Sequence, residues 1–223
     1  LKLFITKPFS NLVALFMNSG LSKFMIKRFI NKNDINMFEY DDRKYKSYND
    51  FFTRKVISYK RPINASKDVL ISPCDSKLMA YKITDDLTLK IKNGYYDINS
   101  LVEKDVLKDY VGGDALVFRL STDNYHRYCY IDSGSKGRNY KIKGVLHTVQ
   151  PICLNHYNFY NTNSREWTLL NTNNFGKVVQ CEIGALCIGK IKNAHETHIF
   201  KKGEEKGYFE FGGSTIVLLL EKD

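Results

Sequence analysis

Ser214 sits in the run Phe211-Gly212-Gly213-Ser214-Thr215, between the apolar stretches "YFEF" and "TIVLLL". Two glycines and a serine inside a strand pattern weaken it, because glycine loses the most entropy on ordering and brings no side chain to pack. The plain reading is a bulge or tight hairpin; the chemical one is a hydroxyl placed where something must approach the backbone. A serine hydroxyl attacks only when a base removes its proton. Two histidines are candidates: His126 in "STDNYHRYCYIDSG", crowded by Asp123, Asn124, Tyr125 and Arg127, and His147 inside the apolar run "GVLHTVQP". Asp75, closing "LISPCD" just after Pro73, offers a carboxylate, although by itself it reads as a turn residue. Ser214, one of these histidines and Asp75 would together supply a nucleophile, a base and an orienting group. Spacing alone does not show that they meet. His195 and His198, in the polar stretch "KNAHETHIF", read as solvated loop residues.

The elements that must position these groups change character along the chain. Residues 1–60 carry apolar residues at helical spacing, with Asn49 or Asp50 as the expected N-cap of "YKSYNDFFTRKV". From Arg61-Pro62 onward, short apolar runs alternate with Gly, Asn, Asp and Lys, which is strand-and-turn spacing. The expected fold is α+β: an N-terminal helical layer on a predominantly antiparallel, barrel-like or sandwich-like β body. At 223 residues and 43% hydrophobic, the chain is large enough for a full core.

The net charge of +10 is concentrated at one end, since residues 1–61 hold 13 Lys+Arg against 5 Asp+Glu. The residues between those charges are Leu, Phe, Met and Ile ("FSNLVALFMNSGLSKFMIKRFI"), which favours an anionic membrane surface over nucleic acid. Between Lys7 and Lys23 lie 15 uncharged residues, too few for a span of ~20 apolar ones. The segment is expected to lie on a bilayer, or equally to pack on its own protein. Five cysteines without a CxxC pair suggest neither a metal site nor a disulfide framework, and fit a reducing compartment. The start at Leu1 and the stop just after an apolar strand lead us to expect further sequence at both ends.

Six motifs then occur in order over nearly the whole chain: "FFTR…RP" (Phe51, Phe52, Arg54, Arg61, Pro62), "SPCD" (72–75), "YHRY" (125–128), "NSRE" (163–166), "IGALCIGKI" (183–191) and "KGEEKGYFEFGGST" (202–215). Together the series resembles the phosphatidylserine decarboxylases, in particular the bacterial branch with GGST at its cleavage motif. The resemblance implies self-cleavage between Gly213 and Ser214. The Ser214 hydroxyl attacks the preceding carbonyl, and β-elimination leaves a small chain, 214–223, that begins with a pyruvoyl group. That cofactor decarboxylates phosphatidylserine to phosphatidylethanolamine through a Schiff base. The implied enzyme is a peripheral protein of the cytoplasmic face of the bacterial membrane, with a homodimer left open. Asp75 is transferred as the orienting carboxylate, with Ser76 where the family has Gly. The family pattern DYHRxH is altered here to Asn124, His126 and Cys129. We therefore expect His147 to act as cleavage base and His126 to bind substrate or manage the decarboxylation proton. The rivals are a pyruvoyl-dependent decarboxylase of a soluble or aromatic amino acid, and a non-cleaving lipid-binding relative.

Overall fold

The computed structural model describes residues 7–91, 94–99, 101–102, 104–144, 163–184, 190–212 and 214–222. The helices are α1 (Lys7–Asn18), α2 (Phe24–Lys32), α3 (Tyr48–Phe52) and α4 (Lys104–Leu107). The first strands are β1 (Lys77–Lys82), β2 (Thr88–Ile91), β3 (Gly94–Asp97), β4 (Asp114–Leu120), β5 (Arg127–Cys129), β6 (Gly134–Lys136) and β7 (Tyr140–Ile142). They are followed by β8 (Arg165–Thr172), β9 (Lys177–Gly184), β10 (Ile191–Asn193), β11 (His198–Phe200), β12 (Glu205–Phe209) and β13 (Ser214–Leu220).

The fold is α+β, as the composition shift at residue 61 implies. The main sheet runs β1-β4-β13-β9-β8-β6-β11 with β7 also paired to β8, and β10-β12-β5 form a second sheet. The main sheet stays open among the described residues, with β1 and β11 at its edges, so the body is layered rather than a closed barrel.

β13 lies at the centre, antiparallel to β4 on one side and β9 on the other. Its unbroken apolar run follows from burial on both faces. Val217 and Leu219 join one core with Val117, Cys181, Trp167 and Tyr110. Ile216 and Leu218 join the other, with Phe118, Leu170, Tyr128 and Phe209, and there the second sheet packs onto the first. Because side chains alternate along a strand, Ser214 shares the face of Ile216 and Leu218.

A buried polar seam joins the two sheets. Glu166 and Glu182 are register partners on β8 and β9, an arrangement of like charges that destabilises a sheet unless it is compensated. The second sheet supplies the compensation. Lys206 Nζ lies 2.7 Å from Glu182 Oε1, with both side chains fully buried. Asn193 Nδ2 donates to Glu166 Oε2 at 3.0 Å, while its Oδ1 accepts from Lys206 Nζ at 2.8 Å.

The helical layer rests on α3. Val13, Met17, Ile26, Phe29 and Ile30 pack against Tyr48, Phe51 and Phe52. The N-cap of α3 is Ser47, whose Oγ accepts from the Asp50 amide at 3.1 Å, rather than Asn49 or Asp50 as expected. A serine hydroxyl reaches the third amide of a helix from the residue before it. Asn49 is thereby free to bond elsewhere.

Removing one member of a fully buried ion pair strands the other charge. In a Ser214→Ala background, chosen because the resemblance implies cleavage at that residue, Lys206→Met is expected to lower stability by ~3–5 kcal/mol, and adding Glu182→Gln to recover much of it. Urea denaturation followed by tryptophan fluorescence measures both values.

Candidate functional site

The turn after β4 leads into His126. The Asn124 amide donates to Ser121 O at 3.0 Å, and Asn124 Oδ1 accepts from the Ser121 amide at 2.7 Å, closing a tight loop. His126 follows, its own carbonyl accepting from the Phe209 amide of β12 at 2.9 Å. Its Nε2 lies 3.0 Å from Ser121 O. A carbonyl can only accept, so Nε2 carries the ring hydrogen and Nδ1 presents a lone pair. That lone pair meets Ser214 Oγ at 3.2 Å.

The contact is dry. Neither His126 nor Ser214 is exposed to solvent, and the Phe52 ring covers the imidazole at 4.1 Å between centroids. Burial pushes the His126 pKa down to about 3, against the hydrogen bond to Ser121, and the positive charge of Arg54 acts in the same direction as burial. The imidazole is therefore neutral near pH 7, with its Nδ1 lone pair facing Ser214 Oγ.

The segment leading to Ser214 is fixed from the helical layer. The Phe211 amide donates to Asn49 Oδ1 at 3.0 Å, and Asn49 Nδ2 donates to Asn18 Oδ1 of α1 at 3.0 Å. The Phe211 ring meets Tyr48 and Phe52 edge-on, each at 5.2 Å. Gly212 then adopts φ 147°, a conformation that side chains disfavour and glycine tolerates.

Arg127 clamps three motifs around the imidazole. Its guanidinium donates to Thr53 O at 2.9 and 2.7 Å and pairs with Glu205 at 2.6 Å. "FFTR", "YHRY" and "KGEE" are thus parts of one packing unit.

Asp75 is placed elsewhere than expected. Its carboxylate pairs with Arg61 at 2.6 Å, and Arg61 also holds Glu39 and the Tyr40 hydroxyl. Both ring nitrogens of His126 are engaged with Ser214 and Ser121, so the orienting contact comes from a backbone carbonyl. His147 and Gly213 lie outside the described residues. The Cys129 thiol donates to Ser72 O at 3.7 Å, and burial pushes its pKa up to about 12, so it is no base near neutrality. His195 and His198 are half-buried and stacked on each other at 3.8 Å rather than solvated.

Sequence reasoning did not foresee the roles of Ser121, Asn49 and Phe52. A backbone carbonyl has no sequence signature. The Phe51-Phe52 doublet was visible only as part of a motif.

Comparison with known proteins bears on the chain as a whole. The phosphatidylserine decarboxylase family profile matches residues 48–223. A relative named phosphatidylserine decarboxylase proenzyme 2, from Clostridium acetobutylicum, is 52% identical over 224 residues, covering 100% of this chain and 77% of the relative. Phosphatidylserine decarboxylase proenzymes of Clostridium perfringens and Clostridium tetani are each 40% identical, covering 100% and 97% of this chain and 78% and 75% of their own lengths. Matched by that profile over most of its length and by these relatives over 97% or more of it, the chain belongs to the phosphatidylserine decarboxylase family.

Proposed function

We propose that this chain is the precursor of a pyruvoyl-dependent phosphatidylserine decarboxylase that cuts itself between Gly213 and Ser214, with His126 as the base. The observation that carries the reading is the neutral, solvent-free Nδ1 of His126 on Ser214 Oγ at 3.2 Å. As Oγ adds to the Gly213 carbonyl, its proton passes to Nδ1, while Ser121 O holds the Nε2 hydrogen and hence the ring orientation. The acyl group moves from nitrogen to oxygen, giving an ester. Loss of the Ser214 α-proton and cleavage of Cβ–Oγ then release the Gly213 carboxylate, and water displaces ammonia from residue 214.

The pyruvoyl group so formed supplies an electron-withdrawing carbonyl that takes up the substrate amine and the electrons freed when carbon dioxide leaves. The chain fits this group because it arises from Ser214 itself, whose side chain is enclosed and aimed at a neutral imidazole. His126 then stands beside it, able to hold or return a proton at Nδ1, and Phe52 keeps water from the ring. Asp75 supports the site from farther away, tying Arg61 and Tyr40 to the "SPCD" turn.

A membrane-resident substrate is supported by the helical layer. Leu12, Leu15, Phe16, Leu21 and Phe24 are exposed, Leu15 by 71% and Phe24 by 75%, beside the exposed Lys23, Lys27, Arg28 and Lys32. No helix among the described residues is long and apolar enough to cross a membrane. An apolar ridge flanked by cations suits peripheral docking on anionic lipid at the cytoplasmic face. A decarboxylase of soluble amino acids has no use for such a face. A non-cleaving relative has no need of the Ser214–His126 contact.

Three outcomes test this reading. By intact mass, His126→Ala is expected to remain one uncleaved chain and His147→Ala to be processed; the reverse result would return the base role to His147. Because the His126 pKa is depressed, its base form persists from pH 6 to 8, so the cleavage rate of freshly translated precursor should be flat there. A base at the ordinary histidine pKa of ~6.5 would instead lose most of its rate by pH 5.5 and half by 6.5. Leu15→Glu with Phe24→Glu should leave cleavage intact but cut activity on anionic phosphatidylserine vesicles at least ~10-fold, given ~1.5–3 kcal/mol per buried apolar side chain. Detergent-dispersed substrate should be affected much less.

A further inference from the structure

The described residues hold a second cluster of ligand-type side chains, away from Ser214. His195 lies in the connection between β10 and β11, His198 opens β11, and Glu204 directly precedes β12. One ligand atom from each lies within 4.8 Å of the others. His198 Nε2 is 2.6 Å from Glu204 Oε1, and the two imidazoles stack at 3.8 Å. The His198–Glu204 hydrogen bond accounts for two of the three residues. It leaves His195 unexplained, since its Nδ1 is shielded from solvent and has no hydrogen-bond partner. A buried polar atom without a partner is uncommon and calls for a water or an ion.

The backbone beneath the cluster is already fixed. His195 O accepts from Lys136 Nζ at 2.7 Å and from Asn139 Nδ2 at 2.9 Å, and Lys136 is the register partner of His198. Glu204 O accepts from the Tyr130 amide at 2.9 Å, and Glu204 Oε2 accepts from the Lys201 amide at 2.9 Å, so Oε1 is turned to His198, whose hydrogen bond an ion would replace. The nearby ammonium of Lys136 is taken up by carbonyl oxygens of this same loop and by Asn139. Outer contacts of this kind orient metal ligands and keep them basic.

We propose that His195, His198 and Glu204 bind one divalent transition-metal cation, zinc by preference, with water at the remaining position. Two imidazoles and one carboxylate are a zinc donor set, whereas oxygen-seeking magnesium and calcium are disfavoured by the imidazoles. A tetrahedral ion with bonds of ~2.0–2.1 Å holds its ligand atoms ~3.3 Å apart. Reaching that from 4.8 Å takes rotation of the stacked rings, which as they lie do not aim both in-plane lone pairs at one point. The ion clips the β10–β11 connection to the turn before β12, the strand that runs on toward Ser214, and so acts as a staple rather than in the chemistry. It revises the expectation that the chain has no metal site.

The test uses the full-length chain stripped with a chelator and titrated with zinc against a competing chromophoric chelator. One ion per chain is expected, with micromolar or tighter affinity, and zinc at ~100 times Kd should raise the thermal midpoint. His198→Gln keeps a hydrogen bond to Glu204 but cannot ligate through an imidazole; it and His195→Ala should each weaken binding at least ~100-fold. Cobalt in place of zinc should give the visible bands of a four- or five-coordinate nitrogen–oxygen site. The absence of saturable binding, binding unchanged in both variants, or a thiolate-to-cobalt band pointing to the cysteines would each overturn the proposal.

Discussion

The chemistry proposed for the Ser214 site depends on keeping one imidazole neutral in a place without water. A histidine near its ordinary pKa would be partly protonated in the cell, and a protonated ring cannot take a proton from a serine. Enclosing His126 under Phe52 and near the Arg54 guanidinium keeps the ring neutral, because both surroundings disfavour the cation, while making it a weaker base. The same enclosure makes tautomer choice decisive. With only a carbonyl on Nε2, the lone pair has nowhere to be but Nδ1, facing Ser214. A carboxylate in that position would stabilise the imidazolium and favour proton transfer, but it would also raise the pKa. The backbone acceptor orients without charging.

That dry enclosure is built by elements remote in sequence. α3 contributes Phe52 to the imidazole and Asn49 to the Phe211 amide, and it receives α1 and α2 on its other side. The exposed apolar ridge of the first two helices is therefore connected to the processing segment through a few packed aromatic rings and two asparagines. Helices that pack with one face and expose large apolar residues on another are costly in water, and a lipid surface gives that second face a partner. Self-packing accounts for one face of these helices, and the proposed membrane contact would account for the other.

The β body fixes the segments on either side of the bond proposed to be cut. β13 is hydrogen-bonded to strands on both sides, so the segment beginning at Ser214 stays in the sheet whether or not it is joined to Gly213. On the other side, β12 is held by β5, β10 and the Lys206–Glu182 pair. Buried charge of this kind adds little net stability when compared with an apolar packing, but it penalises any alternative register of β9 against the second sheet. A site that must bring one hydroxyl within reach of one lone pair needs that register.

The amino-acid sequence by itself determined the α+β division at residue 61, the apolar centre strand, the glycine-rich approach to Ser214 and the family, because each is carried by local pattern or by motifs in order. It also named His126 and Ser214 as candidates. It did not determine which groups meet. Asp75 belongs to Arg61 rather than to the imidazole, Ser47 rather than Asn49 caps α3, and a histidine pair that reads as solvated is stacked and half-buried. Partner choice is a matter of distance and burial between segments far apart in sequence, 88 residues for His126 and Ser214 and 162 for Asn49 and Phe211, and a backbone carbonyl such as that of Ser121 is the same in every residue type. Only the tertiary structure, by removing water from particular atoms and leaving each one neighbour, decides what those atoms do.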